Sequence, residues 1–124
     1  MRFAFVLLAL VLFLPAQSRA AESGLRLVMF QEDGCMWCER WRKEVGVIYS
    51  KTEEGQKAPL MVLDISDPIP TGFQITTDAQ FTPTFVLLKD GVEQGRIIGY
   101  PGEDFFWGLL DRMLKQVADG KAGS

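Results

Sequence analysis

The chain has 124 residues, 48% apolar and 23% charged, the mix of an ordinary globular domain rather than of a disordered or collagen-like chain. Its net charge is −3 and its basic residues are dispersed, which argues against a nucleic-acid footprint. Histidine is absent, so Ser-His-Asp triads, Cys-His proteases and His-based metal sites are excluded, and two cysteines cannot build a four-thiolate zinc site alone.

Met1-Arg2 gives a short positive start, and Phe3 to Leu14 is an unbroken apolar run of twelve residues closed by Pro15. Ser18 and Ala20 then occupy the small-residue positions that a signal peptidase reads. A membrane-spanning helix needs about 20 apolar residues, so residues 1–20 read as a secretory signal peptide cleaved after Ala20. The alternative is an uncleaved anchor that would hold the protein at the membrane. Cleavage removes Arg2 and Arg19, taking the 13 basic residues to 11 against 16 acids and the net charge to −5. Residues 21–124 are expected to form a single domain, core about 24–118, outside the cytoplasm, where disulfides persist.

Leu25 to Phe30 predicts a strand covered on both faces, with Leu25, Leu27 and Met29 on one side and Val28 and Phe30 on the other. Gln31 to Gly34 is a polar loop. A helix is predicted from about Cys35, its apolar stripe formed by Cys38, Trp41, Val45 and Ile48, with Gly46 as a weak point. Ser50-Lys51-Thr52-Glu53 has capping-box form and predicts a short second helical piece. Leu60 to Asp64 reads as a buried strand. Residues 65–81 hold Pro68, Pro70 and Gly72, which exclude a long helix. Thr84 to Leu88 predicts a strand, Asp90-Gly91 a turn, and Val92 to Gly99 its hairpin partner. Gly102 opens the last helix, whose stripe is Phe105, Phe106, Leu109, Leu110, Met113, Leu114 and Val117. The order βαβ then ββα predicts an α/β fold: a mixed sheet of about four strands with helices on both faces.

Cys35-Met36-Trp37-Cys38 follows the first strand and opens the helix. Residues i and i+3 are neighbours on a helical turn, so the two thiols come within bonding reach. Cys35 stands where backbone N–H groups and the positive end of the helix dipole favour a thiolate, the attacking species. Cys38 lies one turn in, on the apolar face, suited to resolving a mixed disulfide. A structural staple is the competing reading, but closing a four-residue loop contributes only about 2 kcal/mol, against about 4.7 kcal/mol for a hundred-residue loop. Soft thiolates also suit Cu(I), and Met36 lies between the cysteines, yet nothing else in the chain points to copper.

These residues carry a resemblance. The strand–Gly34-Cys35-Met36-Trp37-Cys38–helix block, then Thr82-Pro83-Thr84-Phe85-Val86-Leu87-Leu88-Lys89-Asp90-Gly91, then Arg96-Ile97-Ile98-Gly99-Tyr100, is similar to the thioredoxin superfamily over most of residues 24–118. In that family a proline ahead of the third strand of the core motif has a cis peptide bond and lies against the cysteine pair, and Thr82-Pro83 matches it. The resemblance implies a redox-active Cys35–Cys38 disulfide and a thiol–disulfide oxidoreductase that needs no cofactor or metal. It departs from thioredoxin proper in several places. Gly34 stands where thioredoxin has tryptophan, Met36-Trp37 replaces Gly-Pro, and Met29 replaces the buried acid six residues before the first cysteine. The helix before the first strand is expected to be missing or very short.

Residues 31–41 and Gly99 to Trp107 further resemble the small periplasmic thioredoxins of bacterial sulfur-oxidation gene clusters. That family keeps the cysteine of a sulfur-carrier protein active by thiol–disulfide exchange. It implies a periplasmic monomer whose partners are a protein disulfide or thiol and an unidentified thiol electron donor. The alternatives are a non-enzymatic binding module with an inert disulfide or, more remotely, a Cu(I) chaperone. Trp37 cannot easily be buried between the cysteines and reads as a partner-contact residue, with Thr82 and Pro83 as the other substrate-binding candidates. Trp41 reads as core, Trp107 lies off the last helix's stripe, and Arg40, Arg42 and Lys43 read as a solvated helix face. Glu32 and Asp33 could oppose the helix dipole at Cys35, or one could accept a proton.

Intact-mass measurement on protein recovered from the periplasm is expected to give Ala21 as the first residue. Recovery of a Met1 form in the membrane fraction would exclude cleavage.

Overall fold

A computed structural model of the chain describes residues 24–121. The expected leader, its cleavage point, the segment before the first strand and the last three residues lie outside this range.

Strand β1 (Leu25–Gln31) is followed by helix α1 (Met36–Trp41), a π-helical turn (Arg42–Gly46) and a last helical turn α2 (Val47–Tyr49). A short helix α3 (Glu53–Lys57) leads into β2 (Leu60–Asp64). The hairpin strands β3 (Thr84–Lys89) and β4 (Val92–Ile98) and the long helix α4 (Glu103–Ala118) complete the chain. The strands form one sheet in the order β2-β1-β3-β4, with β1 and β2 parallel and the other pairs antiparallel. This is the predicted mixed sheet.

Strands β1 and β3 are central, and Leu27 to Phe30 and Thr84 to Leu88 are buried on both faces, as their near-continuous apolar runs require. Strand β2, expected to be buried, is instead an edge strand. It is only partly covered and leaves Val62 exposed, because β1 pairs on its other side with β3. The Asp90-Gly91 turn has positive φ at both residues, 49° and 83°, the geometry that matches the twist of a two-residue hairpin. An irregularity in the ladder at Leu87/Leu88 places Gly95 opposite Leu87. A Cβ on Gly95 would stand 2.9 Å from Met113 Sδ, so the missing side chain lets α4 lie close over β4.

The prediction of helices on both faces is corrected. The α1–α2 segment and α4 share one core with Leu27, Met29, Phe85, Leu87 and Ile97. The opposite face, formed by Val28, Phe30, Val86 and Leu88, is covered by the irregular link through Ile69, Phe73, Ile75 and Ala79. The prolines that forbid a helix in this link do not prevent its apolar side chains from closing a core. The link is fastened to β4 by a polar clamp. Arg96 pairs with both carboxylate oxygens of Glu93, at 2.6 and 2.9 Å. Glu93 also accepts from the Thr76 N–H at 2.7 Å, and Arg96 donates to the Thr77 carbonyl at 2.8 Å.

Three local expectations also shift. Ile48 was placed on the helix stripe, but it is exposed and Tyr49 is buried instead. The π turn at 42–46 advances the register, so the buried series runs Cys38, Trp41, Val45, Tyr49. The second helical piece is capped by Thr52, not Ser50: Thr52 Oγ1 accepts from Gly55 N–H at 3.0 Å. Phe105 stands in solvent, at the margin of the α4 stripe on its first turn, while Phe106, Leu110, Met113, Leu114 and Val117 are buried.

Burial opposes ionisation of Glu93, but the Arg96 guanidinium and the Thr76 N–H outweigh it and hold the carboxyl below its usual 4.5. Its contribution is therefore full above about pH 4.5 and is lost as pH falls through the lowered value. Glu93→Gln is expected to cost about 1–3 kcal/mol at pH 7. In thermal unfolding the gap to the unsubstituted protein should close as pH drops toward 3; a gap constant with pH would refute the assignment.

Candidate functional site

The chain leaves β1 at Gln31 and turns back, with Cys35 N–H donating to the Glu32 carbonyl at 3.4 Å and Gly34 at φ 77°. This turn sets Cys35 as the N-cap of α1, and its Sγ accepts from the Cys38 N–H at 3.1 Å. The sulfur thus occupies the place of an ordinary capping oxygen, against one of the unpaired amides of a helix start. Cys35 and Cys38 are joined in a disulfide, with Cα atoms 5.2 Å apart. Cys35 is partly exposed. Cys38 is fully buried, in the same core as Met29, Trp41 and Phe106.

The floor under the pair is aromatic. Trp41 is in contact with Phe85 (ring centroids 5.1 Å apart), Phe106 (5.7 Å) and Tyr49 (6.2 Å). Its Nε1 is buried without a hydrogen-bond partner. Trp107, off the main stripe as expected, stacks on Tyr49 with the ring planes 8° apart. Met29 is completely buried in this core, so an apolar side chain occupies the position that the sequence marks as lacking an acid.

The Thr82-Pro83 bond is cis, and Pro83 is buried. The structure brings this turn to the cysteine loop. Thr82 Oγ1 donates to Glu32 Oε1 at 2.9 Å, across 50 positions of sequence, and the Pro83 carbonyl accepts from Gly99 N–H at 2.7 Å. Of the acidic pair before Cys35, Glu32 is therefore the residue that ties the two motifs.

Trp37 is half exposed between the cysteines, beside an even more exposed Met36. The Arg40 guanidinium lies over its ring, 5.6 Å from the centroid. Arg40 Nε pairs with Glu44 Oε1 at 2.8 Å, and the Tyr100 hydroxyl donates to Glu44 Oε2. The Arg40 and Tyr100 hydrogen bonds, in that order, hold the Glu44 carboxyl below its usual range. Burial, followed by the bond to Glu44, pushes the Tyr100 hydroxyl well above its ordinary value, so it remains a donor. Of the basic trio read as a solvated face, Arg40 thus has a specific place. Its i, i+4 pairing with Glu44 is visible in the sequence, whereas the Tyr100 contact spans 56 positions and is not.

The chain is similar to the crystal structure of the periplasmic thioredoxin SoxS from Paracoccus pantotrophus in its reduced form, with 48% identity and a TM-score of 0.74. The match covers 75% of this chain and 98% of that one. The chain belongs to the thioredoxin superfamily. It also resembles the thioredoxin of Fasciola hepatica, at 25% identity and TM-score 0.53 over 76% of this chain and 86% of that one. The Malassezia sympodialis thioredoxin Mala s 13 shares the fold at 18% identity and TM-score 0.51, over 73% of this chain and 78% of that one. Comparison with protein-family models and with curated proteins gives no match. With its C-x-x-C pair at bonding distance on this fold, the protein is a thiol–disulfide oxidoreductase.

Once the disulfide is reduced, iodoacetamide should modify Cys35 roughly a hundredfold faster than Cys38, because reaching Cys38 requires a local opening of about 3 kcal/mol. Peptide mapping after timed quenching measures both rates, and equal rates would contradict the burial difference.

Proposed function

We propose that the reduced protein transfers two electrons to a partner disulfide, with Cys35 as nucleophile and Cys38 as resolving residue. The observation that carries this reading is the position of Cys35 Sγ at a helix start, 3.1 Å from the Cys38 amide and bonded to the buried Cys38 sulfur. A thiolate at Cys35 is stabilised there by the amide and the helix dipole. It attacks one partner sulfur, forming a mixed disulfide and releasing the other as a thiolate. Cys38 loses its proton to the solvent and attacks Cys35 Sγ, which restores the Cys35–Cys38 disulfide and frees the second partner sulfur as a thiolate; both partner thiolates then take protons from the solvent. The partner disulfide is reduced to two thiols, and the pair is oxidised in exchange. An external thiol donor then reduces the pair for the next cycle.

Trp37 is the contact for the partner beside the reacting sulfur. The Thr82-Pro83 turn is its opposite wall, where an extended partner segment pairs with the Thr82 backbone in the manner of an added strand. Likeness to a periplasmic thioredoxin supports a periplasmic location, reached through a leader over residues 1–20 cleaved after Ala20, with 21–124 acting as one monomeric domain. It also supports a partner in sulfur oxidation: a sulfur-carrier protein whose cysteine is returned to its free thiol.

A Cys38→Ser variant is expected to accumulate a covalent adduct with its partner, released by dithiothreitol and identified by mass spectrometry. The unsubstituted protein should reduce insulin, and Cys35→Ser should lose this activity by at least about a thousandfold, as removal of a nucleophile does. Retention of the activity in Cys35→Ser would reverse the roles of the two cysteines. An adduct dominated by proteins other than a sulfur carrier would refute the proposed partner.

A further inference from the structure

The two segments that flank the disulfide are joined on both sides. On one side Glu32 accepts from Thr82. On the other, a longer path starts at the Pro83 carbonyl, which accepts from Gly99 N–H. The next residue, Tyr100, reaches back over the helix to Glu44, Glu44 holds Arg40, and Arg40 lies on Trp37. Each member has a definite constraint. Tyr100 is buried in the core against Phe106, so its hydroxyl has little freedom to move. Glu44 is shared between that hydroxyl and a guanidinium, one carboxylate oxygen to each. Arg40 is more than half exposed, and an unanchored arginine there would sample many rotamers in water. Pairing with Glu44 leaves its planar group facing the indole.

We propose that Tyr100 is a positioning residue for partner recognition: through Glu44 and Arg40 it holds the Trp37 indole in the orientation that meets the protein substrate. This rests on the reading of Trp37 as the partner contact. The path needs no movement of protons or electrons. It lowers the conformational freedom that Trp37 and Arg40 must lose when a partner docks, so its effect falls on binding and not on the exchange of sulfur bonds. It also couples the recognition residue to the Thr82-Pro83 turn, because Tyr100 and the residue bonded to Pro83 are consecutive.

Tyr100→Phe removes one hydroxyl and keeps the buried ring. The pre-reduced protein is mixed with excess insulin over a range of concentrations, and the reaction is stopped by acid and thiol alkylation. The KM for insulin should rise roughly two- to five-fold, the scale of an exposed cation–π contact, while the limiting rate holds. Glu44→Gln, which leaves the Tyr100 ring in place, should give the same rise, and it carries the test should Tyr100→Phe fail to fold. Trp37→Ala should raise KM further, and adding Tyr100→Phe to it should then change nothing more. A fall in limiting rate without a change in KM would overturn the inference, as would a Tyr100→Phe effect that persists in full without Trp37. If the unsubstituted protein does not reduce insulin, the proposed function falls and the inference with it. If it does, and Trp37→Ala leaves KM unchanged, only the inference falls.

Discussion

Antiparallel pairing of β1 with β3 governs the rest of the molecule. It sets Phe30 opposite Thr84, so the chain leaving β1 toward Cys35 and the chain entering β3 from Thr82-Pro83 meet at the same end of the sheet. Pairing of β3 with β4 continues the row to Ile98, which brings Gly99 and Tyr100 to that end as well. Three segments far apart in sequence are thus placed side by side by the strand register, which the burial of the β1 and β3 side chains fixes. The side-chain contacts that follow, Glu32 with Thr82 and Tyr100 with Glu44, refine an arrangement the strand register has already made.

Below this end of the sheet, the packing divides the two cysteines by environment. Both helical segments lie on one face, and their aromatic residues fill the space beneath Cys38. Burial raises the free energy of a charged sulfur, while a helix start lowers it. Cys35 has the second condition and Cys38 the first, and the proposed division into attacking and resolving thiol rests on this difference of one helical turn. Met29, fully buried in the same core, adds packing there and no carboxylate. Among the described residues the buried core holds no carboxylate beneath Cys38, so in the proposed exchange its proton leaves toward the rim of the site.

The other face of the sheet has a different solution to the same covering requirement. A sheet buried on both sides needs two layers over it, and here one layer is irregular chain. Ile69, Phe73, Ile75 and Ala79 supply its apolar contacts, and the Glu93–Arg96 clamp fixes its backbone through Thr76 and Thr77. The clamp is partly shielded from water, where such charge-assisted bonds exceed those of open surface pairs.

The sequence alone determined what depends on neighbours along the chain. Short apolar and β-branched runs marked three strands, Asp90-Gly91 marked the hairpin and its returning strand, and Cys35 to Cys38 at a strand-to-helix junction marked the reacting pair. The i, i+4 spacing of Arg40 and Glu44 is also local, since a helix makes such residues neighbours wherever it sits, although Arg40 reads from sequence only as part of a solvated face. Tertiary structure decided what depends on distant partners. Whether β2 was central or at the edge turned on which strand took the far side of β1. Whether Ile48 or Tyr49 faced the core turned on one π-helical turn that no local pattern announced. The link over the second face was opaque because its apolar residues follow no period, and only the sheet beneath gives them a common direction. Tyr100 reached Glu44 across 56 positions for the same reason: periodicity reports the geometry within an element, whereas contact between elements is set by how they pack.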